Sequence, residues 1–384
     1  MQKNKRSDIF LLIFVFATIC LAYFMGSQIT QDTNTALIKN KFPLVENIQS
    51  ISNELYSVKG NSGIQNYFSI GESGGYNGPL KSIIVTDSSG IILTVEILDH
   101  KETDSYLKKV IKNRFLEAFK NKGSDQFEEF GKIDAVSGAT KTCDGIRYGV
   151  MEAVSNLAHT EFDIELPDPK EPGIVFGLAE ILLVILMIFG IVARTKQFKY
   201  KKTARWISIM AGMIIFGFLL NIPLTIGKLN TFLLGYQSHW QENIFWYILI
   251  FGIIIILFFT NKNSYCQWIC PFGASQDCIG VIGNAKTLKL TSSRKIFNYL
   301  PGFLSWLAII TALIFRNPGA SSYEVFGAFF KITGSIILFV LLGIVLITSL
   351  FIKRPWCDFL CPVNPVFVYI RKLRNLILEP WRKK

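Results

Sequence analysis

Six apolar stretches, each close to the length that crosses a lipid bilayer, constrain this chain more than any other feature. They cover residues 9–26, 173–192, 206–226, 244–260, 299–315 and 332–352. A hydrocarbon core of about 30 Å takes roughly 17 to 25 apolar residues in a helix. Half of the 384 residues are hydrophobic, more than an ordinary soluble domain needs. The pattern predicts six spans, the first an N-terminal anchor (1–26) and the other five a polytopic all-α region (173–384). Between them, residues 27–172 mix polar and apolar positions with no run of that length, which predicts a soluble domain.

The loops carry a lopsided charge, and cytoplasmic loops retain Lys and Arg during insertion. With the N-terminus and C-terminus inside, 22 basic residues face the cytoplasm, and the two short outer loops hold only Lys228, Arg316 and Lys331. The soluble domain then lies outside, with 15 basic and 21 acidic residues. The formal net charge of +12 is thus spread along a membrane surface and does not form one basic face, which argues against nucleic acid as a partner. Residues 1–6 are basic and precede an apolar core, as in a signal peptide. The length of that core and the absence of a small-x-small site after Cys20 favour a retained anchor.

Within the soluble domain, the β-branched runs 81–86 and 91–97 flank Asp87-Ser-Ser-Gly90 and predict a hairpin. Leu107, Ile111, Phe115 and Phe119 predict one helix. Cys143, Ile146, Val150, Val154 and Leu157 predict another. The domain is therefore expected to be α+β. The second helix follows Asp134-Ala135-Val136-Ser137-Gly138-Ala139-Thr140, placing Thr140 in its first turn, where free amides and the helix dipole favour a phosphate. Ser137 or Thr140 acting only as a helix cap is the plainer reading of the same residues.

Four of the seven cysteines fall in two units, Cys266-Gln-Trp-Ile-Cys270-Pro271 and Cys357-Asp-Phe-Leu-Cys361-Pro362, offset by 91 residues. Lys262 aligns with Lys353 and Tyr265 with Trp356, and each unit follows an apolar span, as in an internal duplication of a two-span hairpin. Cys-x-x-x-Cys-Pro is the tail of the bacterial ferredoxin run. Neither unit alone offers four thiolates, but Cys266, Cys270, Cys357 and Cys361 together supply the ligand set of one iron–sulfur cluster. Packed reduced thiols, or a redox-active or metal-delivering thiol pair, are the alternatives. Structural disulfides are disfavoured in a reducing compartment. Cys20, Cys143 and Cys278 are expected to pack as small apolar side chains.

Three stretches of the soluble domain resemble the FMN-binding domain of the RnfG and NqrC subunits and of NosR-like proteins. Gly75-Tyr76-Asn77-Gly78-Pro79-Leu80 is similar to that family's Gly-Tyr-x-Gly-Pro segment, His100-Lys101-Glu102-Thr103 to its His-x-Glu-Thr segment, and Asp134 to Thr140 to its flavinylation motif. The resemblance implies FMN joined to Thr140 by a phosphoester that an FAD-dependent flavin transferase installs. It also implies supporting contacts from Asp134, Ser137, Gly138, Ala139 and Thr142, with Glu102, Thr103, Tyr76 and Gly78 beside the ring. Asp104-Ser105 and Cys143 depart from the family pattern, in which Pro-Gly and Ser are common. Paired Cys-x-x-x-Cys-Pro units after such a domain resemble NosR and, more closely, the shorter PceC or RdhC group, because the chain ends about 20 residues after Cys361.

The resemblance implies a multi-pass protein of the bacterial cytoplasmic membrane, surrounded by lipid. Its cysteines face the cytoplasm and its FMN the exterior. It implies an electron-transfer component and not a stand-alone catalyst, passing electrons between quinol or a cytoplasmic donor and an external acceptor or reductase. An accessory or maturation role for a partner reductase is the rival, and a subunit of an ion-pumping complex a third. The three histidines lie outside the spans, which excludes bis-histidine haem there, and no dinucleotide or P-loop signature precedes a helix. Glu180 inside the second span, with Asn221 and Pro223 inside the third, suggests a quinone or proton role. The hydrocarbon core separates the two expected redox sites, so a quinone or partner is expected to bridge them.

Overall fold

The structure is a computed structural model, and it describes residues 2–31, 33–43, 45, 48–52, 54–59, 65–75, 78–102, 104–167, 173–174, 176–193, 199–236, 240–241, 243–287, 296–319 and 323–382. The chain opens with α1 (Gln2–Gln31) and α2 (Thr33–Lys41), then forms β1 (Ile48–Ser50), β2 (Leu55–Lys59), β3 (Gln65–Gly74), β4 (Pro79–Thr86) and β5 (Ile92–His100). These five strands make one antiparallel sheet in sequential order. The expected hairpin is β4–β5, with Asp87 accepting hydrogen bonds from the amides of Ser89 (2.9 Å) and Ile91 (3.0 Å) across its turn. The three strands before it carry no clean alternation of their own; β3 pairs with β4, β2 with β3 and β1 with β2.

Every residue of β4 is buried, because the sheet is covered on both faces. On one face Ile38 of α2 packs with Tyr56, Phe68, Ile70, Ile83 and Val85. On the other, Leu80, Ile84, Ile92 and Val95 meet α3 (Asp104–Lys112), α4 (Phe127–Phe130) and α5 (Thr140–Phe162). The stripe of α5 is buried as its periodicity predicts. The helix expected from residue 107 to residue 119 is instead two pieces. Arg114 takes a left-handed conformation (φ 54°), α3 stops, and Phe115–Phe119 continues as a 3-10 turn that buries Phe115 and Phe119 and leaves Ile111 exposed.

The remainder is helical: α6 (Leu178–Val192), α7 (Lys201–Gly212) running into a π-helical turn (Met213–Leu219), α8 (Ile226–Leu234), α9 (Ile244–Thr260), α10 (Ser264–Trp268), α11 (Pro271–Ile282), α12 (Ile296–Ile314), α13 (Phe326–Phe330), α14 (Ile336–Phe351), α15 (Pro355–Phe359) and α16 (Val363–Arg382). Each of the six apolar stretches forms a helix, but only Ile9–Ser27 and Lys201–Leu219 are long and apolar enough to cross a bilayer by themselves; the apolar helices Leu178–Val192, Ile244–Thr260, Tyr299–Ile314 and Ile336–Phe351 are shorter. The causes are local. Glu180 lies in the first turn of α6, where its carboxylate accepts from the amide of Gly177 at 2.9 Å. That makes Glu180 a helix-capping residue rather than a buried proton carrier. The third stretch ends at Leu219, because Asn221 is left-handed (φ 50°) and Pro223 follows, so both residues lie in a loop and not in a span.

α1 joins this bundle: Thr18 accepts a hydrogen bond from the Trp306 indole at 3.0 Å, and Tyr369 donates to the Leu12 carbonyl at 3.0 Å. The bundle core gathers α6, α9, α11, α14 and the short helices α10, α13 and α15 around Phe216, Phe272, Phe326 and Trp356.

Candidate functional site: a flavin-type loop and a four-cysteine pocket

The loop before α5 is built to leave its helix end open. Gly138 is left-handed (φ 76°), a conformation glycine adopts without strain, and Ala139 is the N-cap, so no side chain caps the helix. The amide of Val136 donates to the Cys143 sulfur at 3.4 Å, so cysteine at this position closes the loop as a serine would. Thr140 is the first helical residue and is exposed, as are Asp134, Ser137 and Gly138; Ala139 and Thr142 are buried. Neither Ser137 nor Thr140 acts as the cap, so the amides of the first turn remain open to an anion. The Thr142 hydroxyl is buried with no hydrogen-bond partner among the described residues, and the Lys109 ammonium lies over Gly138, within 2.7 Å of where a Cβ would stand.

Two of the three sequence stretches meet at Gly75, beside α5. A Cβ there would collide with the Glu102 carboxylate, and one at Gly145 of α5 would stand 3.1 Å from the Gly75 Cα. Gly78 is buried and its carbonyl accepts from the Gly75 amide at 2.8 Å. Glu102 is buried. Tyr76 and Thr103 lie outside the described residues. An open helix end, a left-handed glycine and an orphaned buried hydroxyl fit a phosphate-bearing group on Thr140.

The two cysteine units are copies in three dimensions. In each a five-residue helix, α10 or α15, ends at a residue with near-identical geometry (Ile269 φ −125°, Leu360 φ −124°). The next amide turns back to the helix: Cys270 donates to the Tyr265 carbonyl at 2.9 Å and Cys361 to that of Trp356 at 2.8 Å. Pro271 and Pro362 then launch α11 and α16. The second cysteine of each pair therefore sits at a helix start, where the amides of Phe272 and Gly273 reach the Cys270 sulfur and the amide of Asn364 reaches that of Cys361. Such amides stabilise charge on sulfur.

Cys266, Cys270, Cys357 and Cys361 line one cavity of about 350 Å³, with Asn263, Phe272, Arg354 and Trp356 in its wall. Among the described residues no group of three or more His, Cys, Asp or Glu side chains is arranged for a single metal ion. A tetrahedral thiolate ion site with bonds of about 2.3 Å needs sulfurs within about 3.8 Å of one another. Four cysteines lining one cavity match the ligand number of an iron–sulfur cluster. Burial pushes all four thiols up, Cys357 to about 12, and neighbouring thiolates add to the rise at Cys266 and Cys361. An uncompensated thiolate is therefore disfavoured in this cavity, and Arg354 offsets part of that cost at Cys270 and Cys357.

Behind the pocket, Arg354 links the two units. Its guanidinium donates to both oxygens of Asp277 (2.7 Å each) and to the Cys266 carbonyl (2.7 Å), and Arg205 reaches Asp277 from α7. The arginines hold the Asp277 carboxyl below the ordinary carboxylate range in spite of its burial. Gln276, fully buried, donates to Cys357 at 3.4 Å and accepts from the Trp356 amide at 3.0 Å. Sequence reading missed Arg354, Asp277, Arg205 and Gln276, since nothing in their spacing distinguishes them. Cys278 packs against Met210 at 3.5 Å.

A chain of contacts runs from the cysteine units through the helical region to the sheet domain. The loops around 220–225 and 323–330 fold inward onto the cysteine units. The Leu224 amide donates to Tyr265 (2.9 Å), and Tyr323 donates to the Leu360 carbonyl (2.7 Å). Next to Tyr323, the buried Glu324 accepts from the Ile226 amide with both oxygens, at 2.9 and 3.0 Å, fastening the start of α8. α8 carries Lys228, and the residues beyond it meet the sheet domain. Lys141 donates to Asn243 (3.4 Å), and Lys331, at the end of α13, donates to Tyr106 (3.0 Å).

Comparison with known proteins agrees with both sites. An FMN-binding domain matches residues 75–155, and a 4Fe-4S binding domain matches twice, over residues 242–289 and 335–380. Protein NirI of Paracoccus denitrificans (strain Pd 1222) is 25% identical over 243 residues, 59% of this chain and 35% of NirI. YccM of Escherichia coli (strain K12), which carries the name of an electron transport protein, is 26% identical over 129 residues, 30% of this chain and 36% of YccM. The uncharacterized protein MJ0749 of Methanocaldococcus jannaschii is 25% identical over 168 residues, 43% of this chain and 60% of its own length. The chain thus spans about a third of NirI and of YccM. No solved structure matches. The chain thus carries an FMN-binding domain ahead of a twice-matched 4Fe-4S binding domain.

Proposed function

We propose that this chain is a multi-pass membrane electron-transfer flavoprotein that carries covalent FMN on Thr140 and one iron–sulfur cluster on Cys266, Cys270, Cys357 and Cys361. The observation that supports the reading is that the helical region presenting the four cysteines to one cavity also contacts the FMN-binding domain, through Lys141–Asn243 and Lys331–Tyr106. FMN exchanges electrons singly or in pairs, and a cluster exchanges them singly, so together they join a two-electron to a one-electron partner. The protein's own part is to hold both. Thr140 offers its hydroxyl at an uncapped helix end, the cysteines offer sulfurs in a cavity closed by Phe272 and Trp356, and Arg354 fixes the Cys266 backbone.

In this reading the short apolar helices span the bilayer together with the two long ones. The positive loops remain in the cytoplasm with the cysteine units, and the flavin faces the exterior. A quinol or cytoplasmic donor reduces the chain, an external reductase or other acceptor oxidises it, and an FAD-dependent transferase attaches the flavin. In this reading a quinone or a partner protein bridges the two centres, which the hydrocarbon core of about 30 Å separates. An accessory role in maturing a partner reductase predicts the same cofactors without turnover, so reduction of the bound flavin by membrane quinol or a cytoplasmic donor distinguishes the two.

Two measurements test the cofactors. A denatured gel band of the full chain fluoresces as flavin and loses that signal in Thr140→Ala; retained fluorescence refutes the attachment site. Anaerobically purified protein contains iron and acid-labile sulfide, and Cys266→Ala loses both; iron-free protein that still passes electrons refutes the cluster.

A further inference from the structure

The end of α5 is crowded with ammonium groups from both halves of the chain. Lys109 of α3 lies over Gly138. Lys141, the residue after Thr140, reaches across to Asn243 at 3.4 Å. From the helical half, Lys228 of α8 stacks over the Trp246 ring at 5.0 Å and is held there because its amide is bound to the Thr225 side chain at 3.1 Å. No carboxylate makes an ion pair with Lys109 or Lys228 among the described residues. Thr142, 1% exposed, turns a hydroxyl without a partner into the same first turn. Lys109 is exposed and Lys141 and Lys228 are half-buried; like charges gathered at one helix start repel one another, and an anion among them relieves that repulsion.

The geometry points to a two-domain phosphate clamp. Lys228 of the helical half, together with Lys109 and Lys141 of the FMN-binding domain, holds the phosphodiester of the flavin on Thr140, so the helical half completes the flavin site. This rests on the covalent-FMN reading above. It goes beyond that reading by assigning to the helical half a role at the cofactor and by making the flavin a fastener between the two halves.

In the protein without flavin, burial and the neighbouring Lys141 draw Lys228 down to about 8. A phosphodiester at the end of α5 reverses this by supplying a negative charge. The test is amine labelling at pH 8 with an acylating reagent, read by peptide mass spectrometry on the full chain in detergent, with and without flavin. The flavin-free sample is Thr140→Ala. A lysine near 8 is about half deprotonated at this pH, whereas one at an ordinary value near 10.5 is under about 1% deprotonated. Lys228 in the flavinylated chain is therefore expected to label at least about tenfold more slowly than in Thr140→Ala. An exposed lysine such as Lys202 labels equally in both.

Equal labelling of Lys228 in the two samples overturns the clamp. Protection in Thr140→Ala as well as in the flavinylated chain also overturns it, because another anion then fills the place. Phosphorus NMR of the flavinylated chain provides an independent arm. The diester resonance shifts in Lys228→Met and returns in Lys228→Arg; a resonance identical in parent and Lys228→Met overturns the clamp while leaving the attachment to Thr140 intact. A parent protein with no fluorescent band overturns the covalent-flavin reading itself, and the clamp with it.

Discussion

Replacing Asp277 with Asn keeps the shape of the side chain and removes its charge, leaving Arg354 without its counter-charge behind the cysteine pocket. The Asp277 side chain is 3% exposed and that of Arg354 13%, so the pair is shielded from water; Arg205, at 30%, is less so. Breaking a buried pair by removing one partner costs about 3–5 kcal/mol. For a helical region of this size, with about 2–4 °C per kcal/mol, the melting temperature is expected to fall by about 6–20 °C. The assay is the tryptophan-fluorescence melt of the full chain in detergent, with iron measured on the same sample. Iron falls as well, because Arg354 also fixes the Cys266 carbonyl at 2.7 Å. The folded carboxyl is held below its ordinary value, so its contribution is present above about pH 4 and is lost only as pH falls through the folded value. The deficit of the variant is accordingly the same at pH 6 and pH 8. A melt within about 2 °C of the parent, with iron unchanged, would refute the reasoning that this pair braces the pocket.

Two further predictions concern the FMN-binding domain. Glu152 is pushed up to about 7 by desolvation and by Glu54 and Glu72, with only partial relief from the Glu72 amide at 2.8 Å. The raised value means that its contribution is full below about pH 4.5 and is lost as pH climbs through about 7. Glu152→Gln should therefore stabilise the protein at pH 8 and not at pH 5, by under about 1 kcal/mol because the residue is exposed; equal melts at the two pH values count against this. Gly71→Ala should lower the flavin-fluorescence melt, since a Cβ there would run into the Gly149 carbonyl and stand 2.8 Å from the Ala153 amide. Overpacking of this kind costs about 1–3 kcal/mol, and an unchanged melt would mean that α5 can lift off β3.

Much of the site was legible because it is written in short, local signals. The start of α5 follows from Ser137-Gly138-Ala139-Thr140, its buried stripe from the spacing of Cys143, Ile146, Val150 and Val154, and the pairing of the cysteine units from a constant offset. What sequence reading missed depends on contacts distant along the chain. β1–β3 have no strong alternation and are added one after another to the edge of β4. Arg354, Asp277 and Gln276 become partners only when α11 meets α15. The break at Arg114 overrides a four-residue spacing that otherwise reads as one helix, since Phe115 and Phe119 gain more by reaching the sheet than the helix gains by continuing. Glu180 shows the converse error. A lone carboxylate in an apolar stretch reads as a buried functional group, yet its place is the first turn, where it is a cap.

The duplicated cysteine units have one more consequence. Each repeat contributes half of the cysteines and one helix start, and the cavity is lined by both. Such a site has the symmetry of a homodimer: two identical hairpins, each with one Cys-x-x-x-Cys-Pro, would build the same four-sulfur cage before any linker joined them. Fusion freed the copies to diverge, and the asymmetry of this chain records that freedom. Gln276 and Asp277 lie after the first unit and brace the second, while no equivalent pair follows Cys361, where Phe367 and Val368 stand at the matching 91-residue offset.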